Sequence, residues 1–227
     1  MRAVVLLSGG LDSATVLGIA LSEGYRVWTL TFDYGQKHRR EIESAQAIAS
    51  YYNCEHKTFT LDLAQFGGSA LFNGNIPSRR LDEIGQDIPR TYVPARNTIF
   101  LSIALAYAEI LDAEMVFIGA NATDYSGYPD CRAEYIQKFR ELAQLATRRG
   151  VRGKKIDIRA PLLHMKKSEI VRMGYELGVP YHLTWSCYRG GKKACGNCDA
   201  CLLRLKGFRE AGIQDPIEYE GESDEDM

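Results

Sequence analysis

Residues 4–13 of this chain read Val4-Val5-Leu6-Leu7-Ser8-Gly9-Gly10-Leu11-Asp12-Ser13, and their pattern indicates the fold class. Its first four residues form an apolar run that ends at a glycine pair, which predicts a short buried strand. Apolar residues then recur with helical spacing from Asp12 to Ser22, and the pattern stops at Gly24. The stretch therefore predicts a strand that passes through a tight glycine turn into a helix.

The turn between strand and helix has the composition of an anion site. Gly9 and Gly10 let the backbone expose its N–H groups, Ser8 and Ser13 add hydroxyl donors, and the helix directs its positive end at the loop. We predict that residues 8–13, including Leu11 and Asp12, bind the phosphates of a nucleotide. The simpler alternative is a glycine turn that caps a helix, but the position directly between the first strand and the first helix favours phosphate.

Asp12 is unexpected in such a loop, because a carboxylate repels phosphate. It is explained if Mg²⁺ lies between the two groups, or if Asp12 caps the helix. The lysine-bearing loop Gly-x-x-x-x-Gly-Lys-Ser/Thr does not occur in the sequence, so the loop is not the kind that serves γ-phosphate transfer.

Strands and helices alternate along the rest of the chain. Further strands are predicted at 26–32, 56–59, 115–118 and 156–159, and further helices at 39–52, 95–111, 132–149, 167–177 and 200–210. This alternation predicts an α/β fold with a doubly wound, mainly parallel five-stranded sheet. Asp33 follows the second strand and the 119–130 loop follows the fourth, so both are expected beside the Ser8–Ser13 loop at the carboxyl edge, where ligands bind.

Composition excludes several classes of protein. The chain has 227 residues, 45% of them hydrophobic, and a net charge of -1, so it can bury a core but lacks the basic field of a nucleic-acid binder. No apolar run approaches the ~20 residues that span a membrane, and the first residues do not have the pattern of a signal peptide. We expect a cytoplasmic protein with no membrane or nucleic-acid partner.

Four of the six cysteines are clustered, in the order Cys187, Cys195, Cys198 and Cys201. In a reducing compartment this spacing indicates a metal rather than disulfides, and four thiolates close a tetrahedral zinc site. An iron–sulfur cluster is the alternative, but nothing else in the sequence suggests electron transfer. We predict one structural Zn²⁺ that folds a helical C-terminal segment. Cys54 and Cys131 are isolated and are interpreted as small buried residues.

The loop resembles the signature of the N-type ATP pyrophosphatases, which split ATP between its α and β phosphates. The resemblance implies ATP with Mg²⁺ and transfer of AMP to a carbonyl or carboxylate oxygen. It also implies that Arg96 and Lys167, with Asp12, are catalytic residues near the pyrophosphate. Charge alone would place Lys166 equally well. We accordingly divide the chain into an ATP pyrophosphatase domain at 1–180, a zinc-binding segment at 181–215 and an acidic tail at 216–227. In that tail, residues from Glu218 onward are expected to fray.

Longer motifs narrow the resemblance to one family. They are Phe32-Asp-Tyr-Gly-Gln, Tyr92-Val-Pro-Ala-Arg-Asn, the segment 121–132, Thr184-Trp-Ser-Cys-Tyr and Cys195-Gly-Asn-Cys-Asp-Ala-Cys. They are similar to the 7-cyano-7-deazaguanine synthase family of queuosine biosynthesis, over residues 4–212. The resemblance implies conversion of 7-carboxy-7-deazaguanine and ammonia to the nitrile through an adenylated acid and an adenylated amide, by a homodimer. The sequence departs from the family at Ala95, where glycine is commoner, and at Lys166, where a hydroxyl residue is commoner.

Residues 124–132 offer groups that match a deazaguanine. Carboxylates match its N–H edge, and tyrosine or arginine planes match its flat face. We predict that Asp124 or Asp130 reads the base beside Tyr125, while Arg132 or Arg96 steadies the carboxylate or phosphates. Alternatively, Asp130 caps the helix that follows it. Asp33 is the nearest candidate for the base that deprotonates ammonium, and free ammonia is the expected nitrogen source because no glutaminase nucleophile pair is evident.

Two other functions share the same loop. The first is a tRNA-modifying thiolase, favoured by a basic segment that comprises Arg148, Arg149, Arg152, Lys154 and Lys155. The slightly negative net charge and the absence of an appended RNA-binding domain count against it. The second is a zinc-stabilised nucleotide sensor without catalysis. The long segment 62–92 shows no sustained period, and we predict that it closes over the bound nucleotide.

Overall fold

The structure is a computed structural model, and it describes residues 1–84, 88–123 and 128–221. Five strands form one sheet in the order β3-β2-β1-β4-β5. They are β1 (Arg2–Leu6), β2 (Arg26–Asp33), β3 (Glu55–Thr60), β4 (Met115–Phe117) and β5 (Asp157–Arg159). All four pairings are parallel, which confirms the fold predicted from the sequence.

Eight α-helices accompany the strands in the described part of the chain. They are α1 (Leu11–Ser22), α2 (Arg40–Tyr51), α3 (Ala70–Asn73), α4 (Arg96–Ile110), α5 (Ala133–Ala146), α6 (Arg148–Val151), α7 (Lys167–Glu176) and α8 (Asp199–Ala211). Within the same ranges, no helix combines the length and the apolar character that a bilayer crossing requires.

The strand β1 shows why the sheet is covered on both faces. Val4 and Leu6 join a core cluster that includes side chains of α4 and α5, whereas Ala3 and Val5 join a second cluster with α1, α2 and α7. Successive strand residues point to opposite faces, so an uninterrupted apolar run needs helices on both sides. The continuous run after Arg2 therefore encodes a doubly wound sheet.

Successive strands are added to the sheet on one side of β1 and then on the other. From β1 the order continues to β2 and β3 on one side and to β4 and β5 on the other. Loops that leave β1 and β4 therefore diverge onto opposite faces and open a crevice at the carboxyl ends of the strands, where ligands bind in folds of this kind.

Two local expectations are wrong. The helix predicted over 132–149 is interrupted at Thr147, which has extended backbone angles, and its hydroxyl accepts from the N–H of Gly150 to cap α6. Fraying from Glu218 onward is also wrong for the first tail residues. Tyr219 is buried and donates from its hydroxyl to Asp215 at 2.7 Å, and Glu220 donates from its N–H to the carbonyl of Ala194 at 2.8 Å.

The described part of the segment 62–92 packs against the cysteine-containing segment. The backbone N–H of Arg79 donates to the carbonyl of Asn197 at 3.2 Å, and Arg189 donates to the hydroxyl of Ser78 at 2.7 Å. Arg79 also lies 3.7 Å from the carboxylate of Asp199, at the start of α8. Residues that show no period in the sequence are therefore held by contacts that are distant in sequence.

Candidate active site

A cavity of about 300 Å³ opens at the carboxyl ends of β1, β2 and β4. One end is formed by Lys167 and the Ser8–Ser13 loop with Asp12, which we call the phosphate loop after its predicted ligand. The other end is formed by aromatic side chains that include Phe32 and Phe100. These two rings stack at 3.9 Å between centroids. The cavity thus joins a polar, charged end to a flat apolar end.

The phosphate loop is held open by its own hydroxyl groups. The hydroxyl of Ser13 accepts from the N–H of Ser8 at 3.1 Å and donates to the carbonyl of Gly10 at 3.0 Å. Gly9 has φ 85, and a Cβ there would lie 2.0 Å from the carbonyl oxygen of Glu41. Only glycine fits at this position. In the described part of the chain, no side chain caps the N-terminus of α1, so its first N–H groups remain available to an anion.

Asp12 is engaged by Lys167 rather than by a helix N–H. The Lys167 ammonium donates to both Asp12 oxygens, at 2.8 and 2.7 Å, and lines the cavity. Lys166 is exposed, and its backbone N–H donates to the carboxylate of Glu169 at 2.7 Å. The structure therefore brings Lys167, and not Lys166, to the predicted phosphate site.

Arg96 enters the same cavity from the first position of α4. The preceding residue, Ala95, has φ 53, a left-handed conformation that glycine adopts more readily. The Arg96 guanidinium lies 5.8 Å from the centre of the Tyr34 ring. Burial would lower the pKa of Arg96, but the phenolic oxygens of Tyr34 and Tyr128 raise it above its ordinary value, so Arg96 stays charged.

Asp130 caps a helix, but not the one expected. Its carboxylate accepts from the backbone N–H of Asn97 at 2.9 Å, in the first turn of α4. The Asn97 side chain donates back to the Asp130 carbonyl at 3.1 Å. Within the described ranges, the following helix α5 begins after Arg132 with no side-chain cap. Asp130 is buried in this pairing and thereby holds the start of the helix that carries Arg96.

The other predicted substrate residues lie outside the cavity or outside the described residues. Asp33 forms an ion pair with Arg39, and neither it nor Arg132 belongs to the described residues that line the cavity. Arg132 is exposed and donates to the carbonyl of Pro129 at 3.1 Å. Asp124 and Tyr125 lie outside the described residues, so their predicted contact with the base stays a prediction.

Tyr34 and Glu41 are among the cavity residues that sequence reasoning missed, and the structure brings these two together. Burial raises the pKa of Tyr34, and the nearby Glu41 carboxylate raises it further. Gln36 supports both, because its side chain accepts from the Tyr34 N–H at 2.7 Å and donates to Glu41 at 3.0 Å. The motif that begins at Phe32 contained the signal, but its partner Glu41 lies five residues beyond Gln36 on α2.

The four clustered cysteines have the geometry of a metal site. Their sulfur atoms all lie within 4.8 Å of one another, and those of Cys195 and Cys201 are 3.9 Å apart. Four sulfurs around one zinc are roughly 3.8 Å apart, since each Zn–S bond is about 2.3 Å. The backbone N–H groups of Arg189 and Cys195 each donate to the sulfur of Cys187 at 3.4 Å, as expected around a thiolate. All four residues fit a tetrahedral ion.

The C-terminal segment that carries the four cysteines, residues 181–215, contacts the phosphate loop directly. The N–H of Trp185 donates to the carbonyl of Gly9 at 2.9 Å, and the Arg40 guanidinium lies 3.9 Å from the centre of the Trp185 ring. Arg204 of α8 is 2% exposed, lines the cavity and forms two hydrogen bonds to Asp215, at 2.7 and 2.9 Å. The segment 181–215, which carries the four cysteines, therefore forms one wall of the cavity.

The order of the parallel strands is that of the adenine nucleotide alpha hydrolase-like class of folds. The NMN synthetase of Francisella tularensis has the same fold, with a TM-score of 0.50 and 20% identity over 94% of this chain and 77% of that chain. Within this class, the chain belongs to the family described as "Queuosine biosynthesis protein QueC", whose model matches residues 2–212.

Relatives extend over nearly the whole chain. A protein of Picrophilus torridus is 61% identical over 220 residues, which cover 96% of this chain and 92% of that protein. A protein of Acetivibrio thermocellus is 56% identical over 219 residues, which cover 96% of this chain and 97% of that protein. Both are described as 7-cyano-7-deazaguanine synthase. These matches confirm the family identified from the sequence motifs.

Proposed function

We propose that this chain is an ATP-dependent carbon–nitrogen ligase that converts 7-carboxy-7-deazaguanine and ammonia to 7-cyano-7-deazaguanine. The observation that carries the proposal is the cavity itself, in which an open phosphate loop, Lys167 and Arg96 face a stacked aromatic end. Its volume of about 300 Å³ is at the lower end of the range for small-molecule sites. Membership of the QueC family and the names of the relatives support the same activity.

The reaction would proceed through two adenylations. The substrate carboxylate attacks the α-phosphorus of ATP and releases pyrophosphate, and ammonia then displaces AMP from the acyl carbon to give an amide. The amide oxygen attacks a second ATP, and loss of the nitrogen-bound protons and of AMP gives the nitrile. In this scheme the loop N–H groups, Lys167 and Arg96 stabilise the negative charge that accumulates on the departing pyrophosphate. Mg²⁺ beside Asp12 would add charge stabilisation at the same place.

The substrate would lie with its base against the aromatic end. Phe100 contacts both other rings there, with Phe32 at 3.9 Å and Tyr34 at 5.5 Å between ring centres. Asp124 rather than Asp130 would recognise the N–H edge of the base, because the carboxylate and the carbonyl of Asp130 each already accept a hydrogen bond from Asn97. Arg96 rather than Arg132 would hold the substrate carboxylate, because Arg96 lines the cavity.

We infer that the cysteine site holds one structural Zn²⁺. Four thiolates close the coordination sphere, and no open position remains for chemistry. The ion would fix the wall that carries Trp185 and Arg204 against the phosphate loop. We further propose that the protein is a cytoplasmic homodimer with no nucleic-acid or membrane partner. We also propose that the segment 62–92 closes over bound ATP. Sedimentation and protease protection by ATP plus acid test the oligomeric state and the closure.

Measurement of AMP and pyrophosphate release tests the function directly. Addition of the deazaguanine acid and ammonium should release two of each per nitrile formed. Release that does not depend on the acid would contradict the ligase and favour a nucleotide sensor. Release that depends on added tRNA instead would favour the thiolase.

A further inference from the structure

Glu41 occupies an unusual place between the phosphate loop and the aromatic end of the cavity. It is the second residue of α2, and its carbonyl oxygen lies so close to Gly9 that a Cβ there would be 2.0 Å away. The main chain of Glu41 is therefore fixed against the loop that is predicted to hold the phosphates. Its side chain lines the cavity.

One Glu41 oxygen is held in place by a neighbouring side chain. The Gln36 amide donates to Oε1 of Glu41 at 3.0 Å. Gln36 is 5% exposed and is itself fixed, because it accepts from the Tyr34 N–H at 2.7 Å and donates to the Phe32 carbonyl at 3.2 Å. Among the described residues, no hydrogen bond engages the second oxygen of Glu41. A positioned carboxylate with one free oxygen is the arrangement that a general base needs.

The charges around Glu41 also suit this role. Arg96 faces it from α4, and the Tyr34 hydroxyl faces it from the turn after β2. Burial raises the pKa of Glu41 to about 7, although Arg96 and the Gln36 hydrogen bond act to lower it. A group with this pKa gains and loses a proton readily at neutral pH.

Other titratable groups of the cavity are less suited. Asp12 is occupied by Lys167 through both oxygens. Burial raises the pKa of Cys131 to about 11, so its thiol stays protonated at neutral pH. His38 lines the cavity from the turn before α2 and is a second candidate for the base.

We propose that Glu41 is the base that removes protons from nitrogen in both halves of the reaction, which rests on the proposed function. In the first half, ammonium gives one proton to the Glu41 carboxylate, which passes it to water, and the freed electron pair forms the C–N bond as the C–O pair leaves with AMP. The nitrogen then still carries three protons, and Glu41 takes one of them to give the neutral amide. In the second half, the adenylated amide carries two N–H protons; it loses the first to water and gives the last to Glu41. The N–H electron pair then completes the C≡N bond, and the C–O pair leaves with AMP. Water receives the proton from Glu41 after each step.

The test separates adenylation, which needs no base, from the proton-removing steps. In Glu41→Gln, exchange of labelled pyrophosphate into ATP, driven by the acid without ammonium, should stay within about threefold of wild type. Amide formation with ammonium, and nitrile formation from supplied amide, should each fall by about 10²–10⁴. Glu43→Gln, in the same turn of α2 but exposed, is the matched control and should retain all three activities.

The pH profile gives a second readout. Wild-type turnover at saturating substrates should decline as the pH falls through about 7, because Glu41 becomes protonated, and Glu41→Gln should lack this decline. His38→Asn should retain it. The assignment would be overturned if Glu41→Gln lost pyrophosphate exchange as well as synthesis, or if it kept normal synthesis. It would also be overturned if His38→Asn lost the decline in turnover at low pH. Absence of acid-dependent exchange in the wild type would instead overturn the proposed function.

Discussion

Lys167 donates hydrogen bonds to both carboxylate oxygens of Asp12, at 2.8 and 2.7 Å. The pair joins the first turn of α1 to the first residue of α7, and both side chains are largely shielded from water, with 13% and 28% of their surface exposed. Lys167 therefore compensates the negative charge that Asp12 brings to a phosphate site. It also places a cation where the pyrophosphate is proposed to leave.

Loss of Lys167 should therefore impair adenylation. Lys167→Ala removes the cation and leaves the Asp12 carboxylate uncompensated beside phosphate, so kcat/KM for ATP should fall by about 10²–10³. Steady-state pyrophosphate release measures this value. Lys166→Ala is the control, because that neighbouring lysine is exposed, and it should stay near wild type. Equal losses in the two variants would contradict the role given to Lys167.

Metal removal should affect both stability and nucleotide binding. If free zinc is about 1,000 times its dissociation constant, binding stabilises the fold by about 4 kcal/mol, and a chelator removes that contribution. Cys198→Ser leaves three thiolates and should lose most of the metal, as measured by elemental analysis and thermal unfolding. ATP binding should weaken in parallel, because Trp185 ties the cysteine segment to Gly9.

Cys54→Ser is the control for metal removal. Cys54 lies outside the cluster of four sulfurs, so this variant should keep about one equivalent of metal. Full metal content in Cys198→Ser would refute the tetrahedral site. Intact ATP binding in the metal-free protein would refute the connection between this site and the loop.

Ala95 is expected to store backbone strain at the start of α4. Its φ of 53 costs an L-residue about 1–2 kcal/mol relative to glycine, whereas glycine loses about 0.4–1 kcal/mol more chain entropy on folding. Ala95→Gly should therefore raise the free energy of unfolding by roughly 0.5–1 kcal/mol, as measured in denaturant. Ala95→Val should lower it, because a branched side chain tolerates this conformation poorly. A glycine variant less stable than wild type would show that the strain is absent.

Much of the fold was predictable because local patterns determine it. The apolar run before Ser8 predicted a buried strand, and the alternation of strands and helices predicted the parallel sheet that the structure contains. Cys195, Cys198 and Cys201 are close in sequence, so their convergence followed from spacing alone. In each case the relevant groups lie within a few residues or one repeat of the pattern.

Features that depend on distant partners were not predictable in the same way. Asp130 looks like the cap of the helix after it, but it accepts from Asn97, 33 residues earlier. Glu41 has the sequence pattern of an ordinary acidic residue in a first helical turn, and only the packing of α2 against Gly9 places it in the cavity. Asp33 seemed the better base because it ends a strand, yet Arg39 engages it.

Glu41 should also link stability to pH, with a sign that distinguishes it from most carboxylates. Burial raises its pKa from 4.5 to about 7 in the folded protein, so between these pH values the folded state binds more protons than the unfolded state. The contribution of Glu41 to the free energy of unfolding is therefore greatest below pH 4.5 and declines as the pH rises through 7. Denaturant unfolding of the ligand-free protein across this range measures the effect.

Glu41→Gln cannot titrate, so the variant should gain stability relative to wild type as the pH rises from 4.5 to 7. Glu43→Gln removes an exposed carboxylate from the same turn, and its unfolding free energy should follow that of wild type throughout. A constant difference between Glu41→Gln and wild type would show that the Glu41 pKa is not raised. A growing difference would mean that the fold maintains a destabilising carboxylate at neutral pH, as expected for a group retained for proton transfer rather than for stability.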